Sequence, residues 1–152
     1  MKVSVSIVCT AIFAVVIFSS CGKNNDSIVG RWELQSVVME RMSSANPNDV
    51  KIDTLGISNI SLNIMRFKKK GTALFTGIDV SENKVTYNES YEWSVSEDNK
   101  MLYLENGKDA NGDDLANREI EILSLIGKQL VTRVKNIVTD SIYISTNTYK
   151  RK

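Results

Sequence analysis

The sequence predicts an all-β fold, an up-and-down antiparallel β-barrel of about eight strands. Three observations lead there. Apolar residues recur with period two in one stretch after another. Short turn clusters separate those stretches in meander order. No helical repeat lies between them. Such a sheet must hide its edges, and closure into a barrel does so. A two-layer sandwich is the other architecture open to the same pattern.

The first strand is expected over Ile28 to Glu40, where Trp32, Leu34 and Val38 alternate with Arg31, Glu33 and Gln35. Met42 to Ile60 shows no clean period and holds the chain's only proline, Pro47. It is expected as a long loop, with room for a short helix. Leu62 to Phe67 and Thr72 to Asp79 form a hairpin around Lys68-Lys69-Lys70-Gly71. That triple lysine reads as a solvated hairpin tip, or as a surface for anionic head groups or glycans.

Val85 to Val95 has the strongest alternation, with Val85, Tyr87, Tyr91, Trp93 and Val95 on one parity. Glu89 shares that parity as a buried acid, a ligand contact or the site of a bend. Asn88 and Ser90 beside it favour a bend or bulge. Ser96 to Lys100 turns the chain into a short strand over Met101 to Leu104, and Glu105 to Asn117 is expected as a loop. Its Asp109-Ala110-Asn111-Gly112-Asp113-Asp114 run has a slight likeness to a calcium loop. An EF-hand needs Gly where Asp114 stands, Glu where Ile120 stands, and flanking helices. A hairpin tip accounts for the same residues.

Arg118 to Ile126 alternates through Ile120 and Ile122, then shifts phase to Leu123 and Leu125, which predicts a bulge. Gly127-Lys128 and Thr139-Asp140 are turns. Gln129 to Lys135 carries Leu130, Thr132 and Val134. Ser141 to Lys150 sets Ile142, Ile144, Thr146 and Thr148 against Tyr143 and Tyr149. Thr132 and Thr146, beside Trp93 and Tyr91, are mixed small and large inward candidates. They suit a packed barrel or one that holds a small ligand.

Ahead of this domain, Met1-Lys2 supplies one positive charge, Val3 to Phe18 is almost unbroken apolar, and Ser19-Ser20 precede Cys21. This pattern predicts a secretory signal peptide over 1–20. The run falls short of the roughly 20 apolar residues that a membrane-spanning helix needs. Phe18-Ser19-Ser20-Cys21 resembles the bacterial lipobox, with Phe18 in the place usually held by Leu. The resemblance implies cleavage before Cys21 and a lipid on its sulfur. The plainer alternative is an ordinary signal peptide with a cysteine near its cut. Each buried methylene of an acyl chain such as palmitate contributes about 0.8 kcal/mol, and two or more chains give a stable anchor. Residues 21–27 then read as a polar tether and 28–152 as one domain.

Composition narrows the chemistry. The roughly 130 residues from Cys21 suffice for one core. Without Lys2, 18 basic residues meet 18 acidic ones, a balance that argues against nucleic acid as a partner. Cys9 leaves with the leader and Cys21 takes the lipid, so the domain has no disulfide and no free thiol. The chain has no histidine. Ser-His-Asp, Cys-His and His-zinc chemistry are therefore excluded. No cofactor, metal or catalysis is expected. An enzyme would have to use carboxylates drawn from Asp109, Asp113, Asp114 and Glu119, which no spacing places around a common site.

Gly30-Arg31-Trp32 resembles the Gly-x-Trp signature of lipocalins. Phe67 through Thr72, Tyr91-Glu92-Trp93-Ser94-Val95 with Asn99 through Leu104, and Ile120 through Leu125 before Gln129-Leu130-Val131 resemble later strands of lipocalin-like lipoproteins of the Bacteroides type. The resemblance implies a lipocalin-like barrel in which Gly30 and Trp32 form a structural plug at the closed end. An arginine, Arg133 or Arg151, would stack across the tryptophan. It further implies a lipid-anchored envelope protein at the outer membrane. The absence of an acidic run after Cys21 favours the periplasmic face. It also implies O-glycosylation at Asp-Ser/Thr-aliphatic triplets, hence at Ser27, Thr54 and Ser141, all expected in tether or turn positions. The expected function is capture of a small, largely apolar ligand without catalysis. The alternative is a packed interaction module that binds protein or glycan through its two long loops.

Overall fold

The computed structural model describes residues 28–43, 45–46, 48–56 and 62–152. The expected leader, Cys21, and the tether with Ser27 lie outside the described residues. Among those described, ten strands form. They are β1 (Gly30–Ser43), β2 (Val50–Gly56), β3 (Leu62–Phe67), β4 (Thr72–Asp79), β5 (Lys84–Val95), β6 (Met101–Lys108), β7 (Asp114–Leu115), β8 (Arg118–Ile126), β9 (Gln129–Val138) and β10 (Ser141–Arg151). Eight of them, β1, β3 to β6 and β8 to β10, pair antiparallel in up-and-down order, and β10 closes on β1. The fold is the expected closed barrel and not a sandwich.

β2 and β7 stand outside the ring. β1 is long enough to serve two partners along one edge: Gly30 to Glu33 pairs with β3, and Ser36 to Met42 pairs with β2. The stretch expected as a long loop thus contains a strand. Val50, Ile52 and Thr54 do alternate, but over too few residues to stand out from the polar segment before them. The second expected loop is likewise shorter. β6 runs on to Lys108, and β7 pairs back onto Gly107 and Lys108.

Bulges decide which side chains face inward. Gln35 is an extra residue between Leu34 and Ser36 in the β1–β10 register. Trp32 and Leu34 point into the barrel before it, Val37 and Met39 after it. Val38, expected to share a face with Trp32, therefore faces outward. In β5, Thr86 is the extra residue opposite Gly77–Ile78. It throws Val85 out of phase with Tyr87 and leaves it 56% exposed. The predicted bulge of β8 is present between Ile122 and Ser124. The bend expected at Glu89 is absent, because Tyr87, Glu89, Tyr91 and Trp93 hold one inward parity. The irregularity lies on the partner strand, where Asn106 takes a φ of 50° beside Gly107.

The core is aromatic at the end where the chain enters. Trp32, Phe67, Tyr91 and Trp93 are buried with Leu102, Leu104 and Leu130. Phe67 meets Trp93 edge-on with centroids 5.4 Å apart, and Phe75 meets Tyr91 at 5.6 Å. At the opposite end β1, β2, β9 and β10 run past the ring, and the pattern inverts. Val50, Met42, Ile142 and Ile137 form one cross-strand row on the outer face. Lys51, Arg41, Tyr143 and Asn136 form the corresponding inner row. Thr146, expected inward, lies on the outer face opposite Arg133.

Candidate functional site

The closed end shows why the barrel has a floor. The Trp32 indole Nε1 donates to the Ile28 carbonyl at 2.7 Å, so the buried ring leaves no polar atom unpaired. The Arg151 guanidinium carbon lies 4.6 Å from the Trp32 ring centroid, which selects Arg151 over Arg133. Arg133 instead pairs with Glu121 on the outer wall at 2.7 Å. Gly30 has a φ of 140°, a conformation that L side chains rarely adopt. A Cβ there would also rest 3.6 Å from Arg151 Nε. Trp93 Nε1 donates to the Lys68 carbonyl at 3.0 Å and ties down the lysine hairpin, whose three lysines are exposed at its tip.

Above this floor the barrel holds a cavity of about 540 Å³. Its apolar wall comes from Met65, Phe75, Ile120 and Val134, at inward positions of β3, β4, β8 and β9. The polar part is made largely of neutral groups. Asn63, Asn117, Asn136 and Asn147 line it together with Tyr87, Thr132 and Tyr149. The Tyr87 hydroxyl donates to Asn63 Oδ1 at 2.7 Å, and the Ser145 hydroxyl donates to Asn147 Oδ1 at 3.2 Å. Burial pushes the Tyr149 pKa well above the ordinary tyrosine value, and the buried Thr132 hydroxyl opposes that rise.

One charged side chain enters from the inward parity of β8. Arg118 Nη2 lies 3.0 Å from Glu89 Oε2 and 3.2 Å from Oε1, and its guanidinium carbon is 5.1 Å from the Tyr91 centroid. The Tyr91 hydroxyl donates to Glu89 Oε2 at 3.2 Å. Of the three readings the sequence allows, Glu89 comes nearest to the buried acid, as a part-buried one with its side chain 16% exposed. Glu119 and Lys135, one charge of each sign, also line the cavity.

Two glycines make room for this arrangement. A Cβ at Gly77 would overlap the Tyr87 ring, and one at Gly107 would overlap the Tyr91 ring. Both tyrosines can cross the neighbouring strand only where that strand has no side chain.

The other residues singled out in the sequence are dispersed. Thr54 is exposed, but it lies within β2 opposite Val38 rather than in a loop. Ser141 opens β10 directly after the Thr139-Asp140 turn and is half-buried. The Asp109 carboxylate accepts the backbone N–H groups of Asp113 at 2.9 Å and Asn111 at 2.8 Å. These bonds, that to Asp113 first, hold its pKa below the usual carboxylate value. Asp114 pairs with Lys108. Asp109 and Asp114 thus serve the β6–β7 hairpin, and Glu119 lies apart from them on β8. The cavity asparagines were not singled out in the sequence. Only the shared inward parity of Asn63, Asn136 and Asn147, which requires the bulge positions, would have found those three, and Asn117 lies in the connection before β8. A scan against protein-family models finds no match for this chain, and a search of curated proteins finds none either.

Proposed function

We propose that this chain is a lipid-anchored, lipocalin-like carrier of the cell envelope, held at the outer membrane through Cys21 on the periplasmic side. It takes up a small amphiphilic molecule in the barrel without catalysis. The observation that carries this reading is the cavity, lined by residues of six strands of the barrel. Its volume falls within the roughly 300–1,000 Å³ range of small-molecule sites. The apolar wall would cover the aliphatic part of the ligand and exclude water from it. The amides and hydroxyls would bond its polar end.

The lipid anchor rests on Phe18-Ser19-Ser20-Cys21 behind the apolar leader. Mass spectrometry of the intact protein extracted from its own membrane tests both halves of the proposal. The expected result is a chain beginning at acylated Cys21, with a retained small molecule under native conditions. A chain that starts beyond Cys21 removes the anchor. A protein that never retains or rebinds an amphiphile removes the carrier.

A further inference from the structure

We infer, on the carrier reading, that the cavity selects an amphiphile with a neutral hydrogen-bonding head, such as a glycerol or sugar ester, over an anionic or cationic one. The charge inventory points to this. The lining holds three charged residues: Glu119 and Lys135, at outward positions of their strands, and Arg118, which enters from an inward position and which Glu89 spans through both carboxylate oxygens at 3.0 and 3.2 Å. Arg41 and Lys51, on the inner row beyond the ring, line a separate hollow with Asp49 and Asp140. Tyr91 holds both partners, by a hydroxyl bond to Glu89 and by its ring beneath Arg118. A carboxylate head would have to displace Glu89 from Arg118 and leave that part-buried acid without its cation. An ammonium head would have to displace Arg118 from Glu89 and leave that cation without its acid. The pair is part-buried, with Glu89 16% exposed against 45% for Arg118, so unpairing Glu89 is the costlier of the two steps.

A neutral head meets no such obstacle. The side-chain amides of Asn117 and Asn136, and the NH₂ groups of Asn63 and Asn147, make no hydrogen bond among the described residues. Each amide offers a donor, and those of Asn117 and Asn136 offer acceptors too. Hydroxyls, which both donate and accept, match that set. Asn63 and Asn147 are part-buried, so a head that leaves their amides unpaired is disfavoured.

The test is calorimetric titration of the full chain with three probes that share one tail: monolauroylglycerol, laurate and dodecylammonium. Monolauroylglycerol is expected to bind at least about tenfold more tightly than either ion, the factor that one lost hydrogen bond supports. Glu89→Gln frees the Arg118 charge and is expected to raise laurate affinity by about tenfold or more. Arg118→Gln exposes Glu89 and is expected to raise dodecylammonium affinity instead. The two variants shift selectivity in opposite directions, which a loss of folding in either cannot imitate. Laurate binding as tightly as monolauroylglycerol to the unmodified chain overturns the inference and leaves the carrier reading standing. So does a pair of folded variants that gain neither ion. If none of the three probes binds, the carrier reading itself fails and this inference falls with it.

Discussion

Arg151, at the end of the last strand, stacks over Trp32 near the start of the first, its guanidinium carbon 4.6 Å from the ring centroid. β1 and β10 are also the pair that closes the barrel, with Trp32 directly opposite Arg151 in the register. Closure and floor are therefore one contact. Trp32→Ala is expected to cost about 3–5 kcal/mol, the range for truncating a buried aromatic. Arg151→Met keeps much of the aliphatic stem and is expected to cost about 0.5–2 kcal/mol, the cation–π share. Urea unfolding of the two variants checks the ratio. Equal losses would mean that the guanidinium, and not the stem, carries far more of the floor than a cation–π contact supplies.

Thr139 has a φ of 48° in the turn between β9 and β10. A β-branched residue is strained in this left-handed region, which Gly and Asn tolerate. Thr139→Gly is expected to stabilise the barrel by about 1 kcal/mol, since relief of the strain exceeds the added freedom of the unfolded chain. Thermal melts of the variant and the parent measure this directly.

Gly77→Ala places a methyl group where the Tyr87 ring lies. Displacing the ring breaks the 2.7 Å hydrogen bond to Asn63. The expected cost is about 1–3 kcal/mol for overpacking. A second substitution, Tyr87→Ser, should recover part of it by vacating the space. Denaturant titration of the single and double variants tests the coupling.

The chain has no histidine, so no histidine titration makes stability vary between about pH 6 and 8. The alkaline limb is different. Burial raises the Tyr149 pKa above its ordinary value of 10.0. The folded chain therefore retains a proton that the unfolded chain releases, and the unfolded state gains as pH climbs beyond about 10. Below that pH the contribution is fully present. Tyr149→Phe should flatten the fall in stability above pH 10, read as melting temperature against pH in the two proteins.

Much of the barrel was legible because its inward face is aliphatic and aromatic at period two. The turns, the strand at Arg118 to Ile126 and the phase shift inside it follow from that pattern. What escaped has a physical cause in each case. β2 lies outside the ring and its apolar parity faces outward, so its short alternation competes with the polar segment that precedes it. On β10 the aliphatic residues Ile142 and Ile144 face out, while Asn147 and Tyr149 face in. Apolar parity there selects the wrong face. Glu89 reads as a break because an acid within an aromatic stripe is rare. Its partner Arg118 lies 29 residues away, beyond the reach of any local pattern. The cavity could not be read for the same reason, as its polar lining sits at inward positions that bulges displace.

The carrier claim meets its most direct test in titration of monolauroylglycerol into the parent chain and into Val134→Trp. Val134 lines the cavity without taking part in the Arg118–Glu89 pair, and an indole at that position would occupy much of the space. The parent is expected to bind saturably and one to one, with loss of at least about tenfold in affinity in the variant while the circular dichroism of the barrel is retained. Undiminished binding to a folded Val134→Trp would place the amphiphile elsewhere on the protein and contradict the account.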